Sequence, residues 1–352
     1  MAERSIVGWD IGGAHVKACL MQAGLVRDVA QWPCPLWQGT EHLEHAIALA
    51  VARWPEAAPA QHAVTRTGAM VDLFQDREDG VLRIAALLAG ALPAPHFYAG
   101  RAGWCAAADV APHWQAIASA NWLASARHVA SRLPDATGML VDIGSTTTDF
   151  IAFARGAVPS ASRGDAERLA SGELVYHGVV RTPLCALAQR IAWRGQALNV
   201  MNEFFATSAD VYRLTGELPA AHDQHPAADS GAKDIAATQA RLARMIGLDA
   251  RDGTADEWWA LAGAWRTQQV AYLRGQLERA IAAHALPADA IIVSAGCGDF
   301  LVPELAPPGW RCLHYGRDIA RIAPDAAAGT QEWAQVAAPS VAVAALFELE
   351  PA

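Results

Sequence analysis

Near the N-terminus, apolar positions come in short runs broken at glycine. "SIVGWDIGG" and the following "HVKACLMQAG" predict two strands joined through glycines, the form of a β-hairpin. The spacing then changes, and "LEHAIALAVARW" carries its apolar residues at helix intervals. "QHAVTRTGAMVDLF" opens as a strand and ends in a Thr/Gly turn, and "DREDGVLRIAALLAGAL" predicts a loop entering a helix. "HFYAG" reads as a short strand and "PHWQAIASANWLASARHVASRL" as one long helix opened by Pro112. This half is α/β.

At "LPDATGMLVDIGSTTTDFIAFARGAV" the strand–glycine–strand pattern restarts, with Pro134 and Gly138 marking a boundary just before it. Helical and loop segments follow in "LASGELVYHGVVRTPLCALAQR" and "NEFFATSADVYRLTGEL", then a polar loop, "AAHDQHPAADSGAKD". "IAATQARLARMIGLD" and "EWWALAGAWRTQQVAYLRGQLERAIAAHAL" are strongly helical. "AIIVSAGCGDFLV" is a strand running into a glycine turn, and "PSVAVAALFEL" a final helix. The expected division is a first lobe over 1–134, a second lobe with a helical insertion over 135–336, and a C-terminal helix over 337–352 returning to the first lobe.

At 352 residues and 53% hydrophobic composition, the chain can bury the cores of two lobes. Its net charge of −9, with Lys and Arg forming no block, argues against capture of nucleic acid or an anionic membrane surface. An anionic substrate would need a local positive field made from backbone amides, a few Arg or Lys, or a metal ion. Cys19, Cys34, Cys105, Cys185, Cys297 and Cys312 are scattered without a C-x-x-C pair, which predicts reduced thiols and not a zinc site or disulfide framework. The N-terminus lacks the regions of a signal peptide, and the alanine-rich stretches are broken by Asn, His and Arg, so a cytoplasmic protein without a membrane span is expected.

The chemistry concentrates in a repeated phrase. Aligning Asp10 with Asp142 sets "VGWDIGGAHVKACL" over "MLVDIGSTTTDFIAF" without a gap. A glycine turn lets amides converge on phosphate oxygens, because no side chain blocks the approach. The candidate phosphate-binding residues are therefore Gly12, Gly13, Ala14 and His15 in one turn and Gly144, Ser145, Thr146, Thr147 and Thr148 in the other. Lys17 follows the first turn, and Gly296 and Gly298 form a later one. Asp10 and Asp142 are the candidate Mg²⁺ ligands, since Mg²⁺ takes a few carboxylates plus substrate phosphates. Each could instead cap its own turn, and Lys17 could be a solvated strand lysine. Neither phrase is a P-loop or a dinucleotide fingerprint.

Further candidates surround this pair. Asp149 ends the threonine run, as a general base, a second metal carboxylate, or a partner for threonine hydroxyls. Glu173, Tyr176, His177, Arg181 and Thr182 cluster in "GELVYHGVVRTPL"; on a helix Glu173 and His177 would share a face, as would the members of a surface ion pair. Asn121 and Trp122 in "SANW" suit a cleft wall, although packing is the commoner role for a tryptophan. Arg66 and Thr67 sit where a strand gives way to a loop, a ligand position. The pairs His42/His45 and His222/His225 lack a third ligand and do not predict a metal site. "DREDG" reads as an exposed turn.

Two phosphate hairpins and a later glycine turn, in this order, resemble the actin/sugar-kinase/heat-shock ATPase superfold. That likeness implies a two-lobed α/β fold with duplicated ribonuclease-H-like domains. "DIGGAHVKA" and "VDIGSTTTDF" resemble the marks of its hydantoinase/oxoprolinase branch. "TRTGAMVDLFQDREDGV", "ASANW", "SGELVYHGVVRTPL", "NEFFATSADVY", "QARLARMIG" and "SAGCGDFLV" resemble that branch's small single-chain members linked to tetrahydromethanopterin-dependent one-carbon metabolism, and they span almost the whole chain. The resemblance implies an enzyme of methanofuran biosynthesis joining an (aminomethylfuranyl)methyl diphosphate to the phenol of γ-glutamyltyramine or tyramine. It implies Mg²⁺ as cofactor and diphosphate as the group released, with a homodimer left open. Asp149, Glu173, His177 and Arg181 would then serve catalysis, and Arg66, Thr67, Asn121, Trp122 and Tyr176 substrate binding. The chain departs from the family pattern at Ala69, where a glutamate is usual, and in "HPAADSGAK", which replaces a Thr-Ala-Asp-Gly pattern. The rival readings are an ATP-dependent kinase or hydantoinase/oxoprolinase-type hydrolase, and a non-catalytic actin-like regulator.

Overall fold

The computed structural model describes residues 5–57 and 59–350; residues 1–4 and 351–352, the outer ends of the expected division, lie outside it. The chain opens on three antiparallel strands, β1 (Ser5–Ile11), β2 (His15–Gln22) and β3 (Leu25–Pro33). Helix α1 (Glu41–Arg53) leads to β4 (Gln61–Arg66), which pairs parallel to β1. Helix α2 (Arg77–Ala91), β5 (His96–Tyr98) and the edge strand β6 (Trp104–Ala106) complete a sheet of order β3-β2-β1-β4-β5-β6. Both faces of β1 are covered, so its run is nearly all apolar. Val7, Trp9 and Ile11 pack under α1 and α2 with Leu43, Ile47, Ile84 and Leu88.

Helices α3 (Val110–Ile117) and α4 (Asn121–Arg132) lead to the second copy. There β7 (Thr137–Ile143), β8 (Thr148–Ala154), helix α5 (Asp165–Ser171) and β9 (Leu174–Val175) repeat the antiparallel meander. An insertion follows, made of α6 (Leu184–Leu187), the hairpin β10 (Arg190–Trp193) and β11 (Gln196–Asn199), α7 (Ser208–Thr215), α8 (Ile235–Arg244) and α9 (Ala255–Ala283). The chain then returns to β12 (Ile291–Ala295), α10 (Val302–Leu305), β13 (Arg311–His314), α11 (Thr330–Val336) and α12 (Ala338–Leu349). The second sheet runs β13-β12-β7-β8-β9, which is the order of the first sheet without its edge strand. The α/β unit is therefore duplicated, with a meander of three strands and two parallel strands added beside the first.

Helix α12 lies on the first sheet against β1, β2 and β4, and against α4. Gly8 permits this approach, since a Cβ there would stand 2.1 Å from the carbonyl oxygen of Ser340. Among the described residues no helix is long and apolar enough to cross a membrane, and all six cysteines are unpaired.

The expected long helix from Pro112 is two helices. The chain breaks at residues 118–120, where Trp122 turns inward and its indole N–H bonds the Ser119 carbonyl at 2.8 Å. Nothing in the alanine-rich periodicity signals this break. The "RG" between β10 and β11 adopts φ of 47° at Arg194 and 76° at Gly195, a hairpin turn lying between two stretches expected to be helix and loop.

Candidate active site

The two repeated phrases form matching turns. Ile11 pairs with Val16 and Ile143 with Thr148. The Gly12 amide donates to the His15 carbonyl at 3.0 Å, and the Gly144 amide to the Thr147 carbonyl at 2.8 Å. Each turn is tied back from behind through its carbonyls. Leu36 and Cys34 donate to Gly13 and Ala14 in the first (3.1 and 2.8 Å), and Val179 and Arg181 to Gly144 and Ser145 in the second (3.1 and 2.8 Å). Those carbonyls are committed, and the hydroxyl-bearing Ser145, Thr146 and Thr147 line the space between the turns. Gly178 makes the second buttress possible, because a Cβ there would lie 2.5 Å from the Thr146 nitrogen.

Both turns face one cavity of about 430 Å³. Its lining contains Asp10, Gly12, Gly13, Ala14, His15 and Lys17 from the first lobe. From the second come Asp142, Gly144, Ser145, Thr146, Thr147 and Asp149, with Tyr176 and Arg181. Thr67 and Asn121 also line it. Asp10 is buried, and its Oδ1 has no hydrogen-bond partner. Burial raises its pKa, with Lys17 opposing and Asp149 adding to the rise. Asp142 stands opposite Asp149 in the hairpin register; burial first, then repulsion from Asp149, pushes it up to about 7. The Lys17 ammonium donates to the Val336 carbonyl at 3.1 Å, which pins it near both carboxylates. Burial and neighbouring cations press His15 down to about 3, so near neutrality it is an uncharged imidazole.

Asp149 is held by Arg168, a cation only 2% exposed. The same guanidinium reaches Asp165 at 3.6 Å and lies 4.5 Å from the Trp122 ring centroid, while the Ser119 hydroxyl donates to Asp165 at 2.6 Å. Burial raises Asp149, with Arg168 opposing. Ser119, Asp165 and Arg168 line the cavity together with Trp37, Met70 and Asp72, none of which the sequence singled out. Only the i, i+3 spacing of Asp165 and Arg168 hinted at their contact.

Other expected residues lie elsewhere. Glu173 and His177 do not share a helical face. Helix α5 ends at Gly172 in the left-handed region (φ 82°), and β9 begins two residues later. The Glu173 carboxylate accepts from Ser160, Ser162 and Ser171 and pairs with His284 at 3.1 Å, which holds it at about 2 despite its burial. His177 stacks on Tyr272 at 4.3 Å. Neither lines the cavity. The Thr148 hydroxyl is turned away, donating to the His177 carbonyl at 2.7 Å, and Trp122 stands behind Arg168. Arg66 is fully buried beside Ile11, with no partner on any guanidinium nitrogen, and burial lowers it to about 9. Gly296 and Gly298 back the second turn. A Cβ at Gly296 would come 2.5 Å from Asp142 Oδ1, and the Gly298 amide donates to the Ile143 carbonyl at 2.8 Å.

A duplicated five-strand motif with paired turns across one cleft defines the actin/sugar-kinase/heat-shock ATPase class of two-lobed folds. Within that class, the hydantoinase/oxoprolinase family model matches residues 97–308, and the chain belongs to this family. Over 245 residues it is 27% identical to a (4-{4-[2-(gamma-L-glutamylamino)ethyl]phenoxymethyl}furan-2-yl)methanamine synthase of Methanocaldococcus jannaschii, covering 69% of this chain and 72% of that one. A synthase of the same name from Methanococcus vannielii is 32% identical over 123 residues, 35% of this chain and 55% of the relative. The solved nucleotide-free structure of an acetone carboxylase superposes with a TM-score of 0.57 at 12% identity, over 97% of this chain and 70% of that one. That likeness concerns the fold alone.

Proposed function

We propose that this chain is a transferase of methanofuran biosynthesis. It joins (aminomethylfuranyl)methyl diphosphate to the phenol of γ-glutamyltyramine or tyramine and releases diphosphate. The observation that carries this reading is one cavity lined by both turns, by Asp10, Asp142 and Asp149, and by the aromatic side chains of Trp37 and Tyr176. Relatives named for a phenoxymethyl-furan product support the substrate pair.

The cavity's charge bears on the cofactor. Its lining carries five aspartates (Asp10, Asp72, Asp142, Asp149, Asp165) against three cations (Lys17, Arg168, Arg181). With these carboxylates ionised, a diphosphate entering alone would meet net repulsion, so a divalent cation fits the site. Asp10, with its unpartnered buried oxygen, and Asp142 would hold it. Mg²⁺ takes a few carboxylates and completes its shell with phosphate oxygens and water, so two aspartates would suffice on the protein side. When bound, Mg²⁺ would neutralise charge developing on the departing diphosphate. The turn amides, the Ser145, Thr146 and Thr147 hydroxyls, Lys17 and Arg181 add fixed donors to the same end. As the C–O bond to diphosphate breaks, the furan stabilises the methylene cation left behind. The phenol oxygen then closes the new ether bond, and its proton passes to the Asp149 carboxylate. Asp149 lines the cavity with Tyr176, whose hydroxyl it influences electrostatically.

Diphosphate and ATP separate this reading from an ATP-dependent one. Millimolar Mg²⁺-diphosphate should raise the melting temperature, in proportion to RT ln(1 + [L]/Kd), while Mg²⁺-ATP should give no turnover. Tight ATP binding with hydrolysis or phosphoryl transfer would favour the kinase or hydrolase instead.

A further inference from the structure

Arg181 and Arg168 line the same cavity, yet they are held very differently. Arg168 is clamped between two carboxylates and an indole face. Arg181 has only a long hydrogen bond, 3.4 Å from Nη1 to the Thr146 hydroxyl, and the face of Trp37, 5.5 Å from its guanidinium carbon. Among the described residues it forms no ion pair. Its backbone is fixed, since the Arg181 amide donates to Ser145 in the second turn. The side chain therefore starts at one phosphate turn and ends on a ring belonging to the other lobe.

Trp37 is anchored in a matching way. It lies in the short turn Leu36–Gln38, whose Leu36 amide donates to Gly13 at 3.1 Å. His225 approaches the same ring with centroids 5.8 Å apart. The loop carrying His225 is secured by Asp223, which accepts two bonds from Arg213 (2.5 and 3.1 Å) and one from Lys233 (3.1 Å). The ring is thus positioned from three sides and faces the cavity.

The energies favour transfer of Arg181 to a phosphate. A cation over an indole at a partly exposed site is worth about 0.5–1 kcal/mol, whereas charge-assisted, bidentate Arg–phosphate pairs are among the strongest protein hydrogen bonds. We propose that Arg181 couples the two halves of the cavity. Diphosphate at the second turn draws its guanidinium off Trp37, and the uncovered indole face stacks the phenol ring of the acceptor. Binding is then ordered, diphosphate substrate first, and Trp37 is the residue that selects an aromatic acceptor. This rests on the transferase reading above.

Calorimetry with inorganic pyrophosphate plus Mg²⁺ and with tyramine tests it. In the wild type, saturating pyrophosphate should tighten tyramine binding by about 5-fold or more, the lower range of measured couplings between sites. Trp37→Leu should keep pyrophosphate affinity within about 2-fold and lose both tyramine binding and the coupling, and Trp37→Phe should restore part of each. Arg181→Met should bind tyramine equally with and without pyrophosphate, because the ring is never covered. A merely structural Trp37 would weaken both ligands together and leave the coupling ratio intact. If pyrophosphate binds but leaves tyramine affinity unchanged or undetectable, the coupling is wrong and the transferase reading stands. If pyrophosphate does not bind at all, both fall.

Discussion

Asp142→Asn is expected to melt at a higher temperature than the wild type at pH 8 while making almost no product. Asp142 is half-buried opposite Asp149, and Asp10 and Asp299 add to the repulsion. Its carboxyl is raised from 3.8 to about 7, so the folded chain prefers it protonated. A raised acid contributes stability that is fully present below the unfolded value, near pH 4, and is lost as pH rises through about 7. In chelator, the wild type should therefore be less stable at pH 8 than at pH 5 in this respect, and the asparagine variant should lose that slope. The gain at pH 8 is on the order of 2 kcal/mol, within what a shift of this size permits after local relaxation. It corresponds to a few degrees in melting temperature. Activity should fall by at least about 10²-fold, the scale for removing one group that stabilises developing charge. Melting curves at the two pH values check this, and a variant less stable than the wild type at pH 8 would contradict it.

Arg168→Met should have the opposite effect on stability and the same effect on activity. The guanidinium is buried, pairs with Asp149 and Asp165, and lies over Trp122. Removing it leaves the Asp149 carboxylate facing Asp142 without its cation, and breaking a buried pair in this way costs about 3–5 kcal/mol. Arg168→Lys should recover only part of the loss, because an ammonium cannot reach both carboxylates with a planar fork. Adding Asp149→Asn to Arg168→Met should restore much of the stability but none of the activity. That non-additivity is the mark of two residues acting as a pair. Denaturant unfolding of the two single variants and the double variant measures it, and additive losses would show that Arg168 stabilises the fold through packing alone.

The hairpins were legible because their signal is local. Glycine placement and period-two alternation fix both the turns and their register, so aligning Asp10 with Asp142 located the two matching turns. The same alternation accounts for Arg66 and Thr148. Arg66 pairs with Ile11 and shares its face of the sheet with Val64 and Trp9, whereas Thr67, one residue on, lines the cavity. Thr148 likewise faces away from Asp149. The remaining wall was not legible, because tertiary contact assembles it. Ser119 meets Asp165 across 46 residues, Arg168 reaches back 19 to Asp149, and Trp37 meets Arg181 from the other lobe. Glu173 and His177 failed for a local reason. One glycine at position 172 in the left-handed region ends the helix on which their spacing would have mattered. Ala69 is buried against the backbone beside Gly80, where a Cβ would lie 2.7 Å from the Ala69 carbonyl.

The most direct measurement is product formation. Purified protein would be incubated with Mg²⁺, (aminomethylfuranyl)methyl diphosphate and tyramine or γ-glutamyltyramine, without ATP. Mass spectrometry would follow the ether and ³¹P resonance the phosphorus. Cleavage at the two turns predicts ether and free diphosphate in equal amounts, dependent on Mg²⁺ and abolished in Asp142→Asn. Absence of ether with both substrates and Mg²⁺ present, or ether formed only when ATP is consumed, would contradict it.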